Sequence, residues 1–276
     1  MERAVIIGAF EFLGFHFCTS LLEQGYEVEG VHFDNPEGDP FLIDKRMAVG
    51  RNANFNEKEY QTWLPFAEID QQTLIIIDFY DFYVQDNRNF FAESDFLEHF
   101  FGENAIQIKE TDSRIVFLLP IQWHSSTSEP IHRYLMNDQI SSQCFYLPTV
   151  YGPWQPSAFV FQQFLLKSMH GEKQISLNDR EWIYDVLYID EVVEAILMLA
   201  ETKSAASCIL KSDITDYWQK CASQLSIPLE AINKYERNRP PEPRTINVKT
   251  LKSHIDFSEG IGKQRRHLEL LLDKGF

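Results

Sequence analysis

The sequence is poor in glycine, which supplies 12 of 276 residues, about 4% against an average near 7%, while phenylalanine occurs 22 times. Few positions are then available for the tight turns and close backbone approaches that only glycine tolerates. Positive charge is also short: 25 Lys and Arg face 41 Asp and Glu, a net charge of −16. Such a surface repels phosphate backbones and anionic headgroups, which excludes nucleic acid and membrane surfaces as expected partners. Cysteine is limited to Cys18, Cys144, Cys208 and Cys221, far apart and without CxxC spacing. That reads as small buried hydrophobes in a reducing compartment, with neither a disulfide framework nor a thiolate metal site. Apolar runs stay well below the roughly 18 residues of a membrane span, and Glu2, Arg3 and Glu11 interrupt the N-terminal stretch, so a cytoplasmic location is expected. Catalytic signatures are missing too. The eight histidines show no HxxxH pairing, which speaks against a metal, and no GxSxG elbow for a serine hydrolase occurs.

What is present is an ordinary globular composition, 44% apolar and 24% charged, in a chain long enough for one large domain or two small ones. Charge is unevenly placed: residues 233–276 hold ten Lys and Arg against six Asp and Glu, so the basic end is the candidate seat for an anion. Ala4–Ile7 is a continuous apolar run stopped by Gly8, as expected for a strand buried on both faces. Phe12, Phe15, Leu21 and Leu22 continue as a helix to Gln24-Gly25, and Tyr26 to Phe33 forms a second strand. This βαβ unit predicts a parallel sheet with a right-handed crossover. Further strands are expected at Leu74–Ile77, Ile115–Leu119, Cys144–Leu147 and Trp182–Ile189. Helices are expected from Asp190 and from Ser212/Asp213 as N-caps. Alternation of this kind implies an α/β Rossmann-like, doubly wound parallel sheet with helices on both faces. The stretch 35–73 has no clear period, and three prolines make 237–244 a loop. The aromatic series Phe79, Tyr80, Phe82 and Tyr83 reads first as core packing and second as the lining of a cofactor cleft.

Gly8-Ala-Phe-Glu-Phe-Leu-Gly14 resembles the GxxGxxG strand-to-helix turn of the extended short-chain dehydrogenase/reductases, the NAD-dependent sugar-nucleotide epimerases and dehydratases. Asp34 stands twenty residues after Gly14, where such folds place the acid that holds the adenosine ribose. Leu147–Pro153 resembles the family's RxxNVYGP segment, and Asp185–Val192 its RDFVYVDDV segment. Arg239-Pro-Pro-Glu242 is similar to the RxGD loop, and Phe257–Leu272 to the closing helix. The likeness spans essentially the whole chain. It implies a dinucleotide-binding domain over 1–155 plus roughly 181–202, and a smaller C-terminal substrate-type lobe over 156–180 plus 203–276. It also implies NAD as cofactor at Gly8, Glu11, Gly14 and Asp34, and a substrate held by Arg239 and Thr149. The expected ligand is a nucleotide or sugar nucleotide, and the expected partner a second copy of the chain (a homodimer) or another protein.

Several of the family's functional positions have changed. Glu11 replaces the middle glycine, and a carboxylate about 4 Å from a phosphate charge costs on the order of 4 kcal/mol at a surface dielectric, which turns micromolar affinity into roughly millimolar. None of the eleven tyrosines has lysine at the fourth following position, and Tyr134, the best aligned as general base, is followed there by Asp138. The expected Ser or Thr after the 114–119 strand is missing from Pro120–Trp123, and Ser125, Ser126, Thr127 and Ser128 come late and read as a polar loop. The arginine and asparagine of RxxNVYGP become Tyr146 and Thr149, and the arginine before DFVYVDD becomes Tyr184. These losses favour a catalytically degenerate relative with a binding or regulatory role, in which NAD binding is weak or lost. The alternative is an active NAD-dependent epimerase, dehydratase or reductase with a rearranged site.

Overall fold

The structure, a computed structural model, describes residues 2–33, 41–64, 69, 71–85, 95–125, 142–170, 175–202, 207–227 and 246–273. Its strands and helices begin with β1 (Arg3–Ile7), α1 (Phe12–Glu23), β2 (Glu27–His32), α2 (Leu42–Val49), β3 (Phe55–Glu59) and α3 (Tyr60–Trp63). There follow β4 (Thr73–Asp78), α4 (Phe79–Val84), α5 (Asp95–Glu110), β5 (Arg114–Pro120), a 3-10 turn (Ile121–Ser125), β6 (Ser142–Leu147) and β7 (Thr149–Tyr151). The chain closes through α6 (Val160–His170), β8 (Val186–Tyr188), α7 (Ile189–Ala200), β9 (Cys208–Ser212), α8 (Tyr217–Gln224), β10 (Asn247–Leu251) and α9 (Phe257–Leu272).

Eight strands form one parallel sheet in the order β10-β9-β6-β5-β4-β1-β2-β3. The apolar runs make this possible because both faces are covered. Ala4 and Ile6 of β1 and Leu74 and Ile76 of β4 face one core with Phe12, Phe17 and Leu21 of α1. Val5 and Ile7, Ile75 and Ile77 face the other, with Phe100 of α5 and Trp63 of α3. Each fully buried side chain of this size stabilises by about 1.5–3 kcal/mol relative to exposure, so the two cores fix the sheet.

The first βαβ unit follows the expected pattern: α1 stops at Glu23, and Gly25 takes φ +85° before β2. Four elements differ. The 182–189 stretch is a strand only over Val186–Tyr188, and it pairs with β7 in a separate two-stranded sheet. α7 begins at Ile189, with Tyr188 as its cap residue and Asp190 inside the first turn. α8 begins at Tyr217, after Asp216 adopts a left-handed backbone, and not at Ser212, whose hydroxyl is bonded to Asp185. Finally β9 and β10, in the stretch expected to belong to the smaller lobe, extend the main sheet beyond β6. Among the described residues no helix is long and apolar enough to cross a membrane. All four cysteines are free thiols, three buried and Cys208 half-buried.

Candidate functional site

Strand order reverses beside β1, whose neighbours are β4 on one side and β2 on the other. In open α/β sheets the crevice at such a reversal, at the carboxyl ends of the strands, is where ligands bind. Gly8 leaves β1 there at φ +97°, and a Cβ on Gly14 would lie 1.9 Å from the Gly8 carbonyl oxygen. α1 therefore starts pressed against the turn, which only glycine at position 14 permits. In this geometry the first N–H groups of the helix face the crevice and favour an anion.

The anion at that position comes from the chain itself. Asp81 Oδ2 accepts the Leu13 N–H at 2.6 Å, and Asp78 Oδ2 accepts the Gly14 N–H at 3.2 Å. Asp78 ends β4, and its other oxygen caps α4 by accepting the Asp81 N–H at 3.0 Å. Both side chains are fully buried. Burial pushes the Asp78 carboxyl up to about 6, and Glu11 pushes in the same direction. Asp81 is raised further, by burial first and then by the neighbouring Asp78 charge, with Lys45 opposing. Both carboxyls are thus pushed toward their protonated forms. Lys45 is itself buried, and its Nζ donates to the Phe10 carbonyl at 2.6 Å, in the same turn.

Aromatic side chains pack in the core beside the turn. Phe82 comes within 3.5 Å of where a Gly8 Cβ would stand, and Phe33, at the end of β2, packs on Tyr60, Phe82 and Phe96 with centroids 4.7, 5.3 and 6.2 Å away. Trp123, in the 3-10 turn after β5, is buried against Phe79 and Tyr83. Above α4 lies the 178–184 segment: Asn178 Nδ2 donates to Val84 O and Arg180 NH1 to Tyr83 O, each at 2.8 Å, and Gln122 Nε2 donates to Arg180 O. α4 is thus held from both sides.

The structure brings Gly8, Glu11 and Gly14 together, with Glu11 as the cap residue of α1. The Glu11 carboxylate turns away from the helix amides and accepts from Gln85 Nε2 at 2.7 Å. Thr149 sits on β7, and its hydroxyl donates to the Trp182 carbonyl at 2.7 Å. Asp34, Tyr134 and Arg239 lie outside the described residues, as do Ser126, Thr127 and Ser128. His16 on α1 is neutral, held near 4 by burial, and its Nε2 donates to Pro153 O. Asp78 and Asp81 were not among the expected site residues. Their signal was two acids three apart in the doubled Asp-Phe-Tyr of 78–83, directly after an apolar strand.

NAD seated as the glycine turn implies would need bare amides at the start of α1. The residues present do not fit that group: the Leu13 and Gly14 amides already serve carboxylates, and a pyrophosphate there would meet two buried acids.

No family model matches the chain. An Escherichia coli O111:H- protein named as an uncharacterized 37.6 kDa protein in the cld 5' region is 26% identical over 237 residues, covering 72% of this chain and 69% of that protein. Among solved structures, the chain is similar to UDP-glucuronic acid 4-epimerase from Bacillus cereus in complex with NAD (TM-score 0.65, 16% identity, 98% of this chain and 99% of that one). It is also similar to dTDP-glucose 4,6-dehydratase from Bacillus anthracis in complex with NAD (0.61, 10%, 98% and 97%). A third is the NAD-dependent NDP-hexosamine 5,6-dehydratase TunA (0.66, 13%, 98% and 98%). The chain has the fold of the NAD-dependent sugar-nucleotide epimerases and dehydratases, end to end.

Proposed function

We propose that this chain is a catalytically degenerate relative of those enzymes, which keeps their scaffold as a nucleotide-binding or regulatory module and performs no NAD-dependent hydride transfer. The observation that carries the reading is the pair of bonds from the Leu13 and Gly14 amides to Asp81 and Asp78. Two sequence features support it. No tyrosine has the lysine partner that would make it a base at neutral pH, and Trp123 occupies the turn where a Ser or Thr would polarise a substrate. Any ligand role then rests with the basic C-terminal stretch around Arg239, whose guanidinium suits bidentate recognition of a phosphate.

Calorimetric titration of the full chain with NAD(H) is expected to give no saturable binding below the millimolar range. Micromolar affinity would overturn the reading. A thermal-shift screen of UDP-, GDP- and dTDP-sugars on wild type and Arg239→Ala tests the ligand part, since a ligand that binds the native state raises the melting temperature by mass action. The expected result is a stabilising hit that the substitution removes.

A further inference from the structure

We propose that Asp78 and Asp81 form a proton-operated latch, in which two carboxyls sharing one proton seat α4 on the start of α1, and loss of that proton loosens the joint. The inference rests on the reading that these amides are not a pyrophosphate seat. It is carried by geometry. Two fully buried acids from the end of β4 and the first turn of α4 bond consecutive amides of a helix 64 and 68 residues away in the chain. Each of those carboxyls spends one oxygen on α1. Asp78 spends its other oxygen on the Asp81 amide, whereas Asp81 Oδ1, buried beside it, has no hydrogen-bond partner among the described residues. Two full charges here would face donors sufficient for little more than one.

The other ionisable groups around the pair do not relieve this. Glu11, from the turn before α1, adds a third negative charge near Asp78. Lys45 of α2 is the positive group acting on Asp81, and it is committed to the Phe10 carbonyl. Tyr80, on α4 itself, is pushed well above its ordinary value and stays neutral, accepting from the Val150 N–H. The shared proton is therefore retained by the pair instead of being exchanged for a salt bridge.

The direction of the pH effect follows from linkage. Both carboxyls titrate higher in the folded chain than in the unfolded one, so between about pH 4 and the folded values the native state binds more protons. Stability is greatest in acid and is lost as pH rises through about 6 and beyond. The loss near 6 leaves the one-proton pair, and the joint loosens when the shared proton leaves at still higher pH. Glu181, in the segment between α6 and β8, titrates near 7, so the latch is read as a difference between proteins and not from one curve.

Asp81→Asn is the informative variant, because its amide keeps an acceptor for the Leu13 N–H and offers Asp78 a permanent donor. Denaturation midpoints are measured from pH 5 to 9 for wild type and Asp81→Asn, each as the full chain. The expected result is that the midpoint of the variant falls less with rising pH than that of wild type. Parallel curves would overturn the proposal. Carbon-13 titration of aspartate carboxyls in wild type gives an independent reading that needs no variant. One carboxyl is expected to ionise near 6 and another to stay protonated well above it. If both ionised near 4, the latch would fall while the absence of NAD binding stood. Micromolar NAD binding together with the split titration would instead remove the proposed function and leave the proton pair.

Discussion

α1 and α6 both begin against carboxylates supplied by distant segments, and they differ in how the charge is met. At α6, Glu181 Oε2 accepts the Val160 N–H and Oε1 accepts the Trp218 indole N–H, each at 2.9 Å. One acid meets one donor at each oxygen, and burial raises it to about 7. At α1, two acids share the helix end, and they lie in the crevice where strand order reverses. A lone buried carboxylate with matched donors serves as a structural pin. Paired acids at the same kind of helix end hold more charge than the donors absorb, so mutual repulsion adds to burial in pushing them toward the protonated form. The comparison separates a cap with one acid per pair of donors from one with two acids at a helix end in the crevice.

The largest effect is expected where α1 meets its turn. Gly14→Ala places a Cβ 1.9 Å from the Gly8 carbonyl oxygen, with backbone on both sides and no flexible side chain to give way. A cost of about 3 kcal/mol or more is expected in denaturant unfolding. A near-neutral result would mean that α1 does not press on the glycine turn, and the first half of the comparison would fail.

Next come the acids themselves. Glu181→Ala leaves the Val160 and Trp218 N–H groups unpaired in the core and is expected to cost about 2–3 kcal/mol. Asp78→Ala also strips donors of their acceptor, yet it relieves the repulsion felt by Asp81, so a smaller loss of about 1–2 kcal/mol is expected. Unfolding measured at pH 7 for both variants ranks them. If Asp78→Ala costs clearly more than Glu181→Ala, the two acids at α1 attract the fold as strongly as the single pin, and the contrast is lost.

The first βαβ unit was legible because continuous apolar runs bounded by Gly8 and Gly25 have one reading. β3, Phe-Asn-Glu-Lys-Glu, was not, since an edge strand that is partly exposed carries no apolar pattern. β10 escaped for the same reason, with four of its five residues exposed. The 182–189 run was read as too long a strand because 183–184 form a turn and the strand starts only after Asp185, whose carboxylate accepts from Ser212 and from the Val186 amide. Of the site, the sequence exposed the glycines and the substitution at Glu11. It could not reveal that Asp78 and Asp81 reach α1, because an acid after a buried strand reads equally well as a local helix cap, and Asp78 is that too. Only the parallel pairing of β1 with β4 joins the groups.

A subtler effect sharpens the α6 side. Glu181 titrates near 7 in the fold and near its ordinary value in the unfolded chain, so its contribution is full in acid and is lost as pH rises through about 7. Glu181→Gln removes that titration. The difference between the unfolding curves of wild type and Glu181→Gln is expected to change between pH 5 and 8, and to do so in the Asp81→Asn background as well, because the acids cap different helices, α6 and α1. Loss of the effect in that background would show the caps to be one coupled system.

The smallest effect is expected at the residue that looked most damaging in the sequence. Glu11 replaces a glycine of the cofactor turn, and on the sequence alone Glu11→Gly should restore NAD binding. In the structure its carboxylate bonds Gln85 on an exposed edge, and the helix amides belong to Asp78 and Asp81. Glycine is tolerated at a helix cap, and exposed polar pairs contribute little, so Glu11→Gly is expected to shift stability by no more than about 0.5 kcal/mol. NAD affinity is expected to stay unmeasurable in calorimetry for the same variant, since the anion position is still filled. If Glu11→Gly alone produced micromolar binding, the α4 carboxylates would have to yield to pyrophosphate readily, and α1 would be a seat blocked by one side chain instead of a helix end already capped.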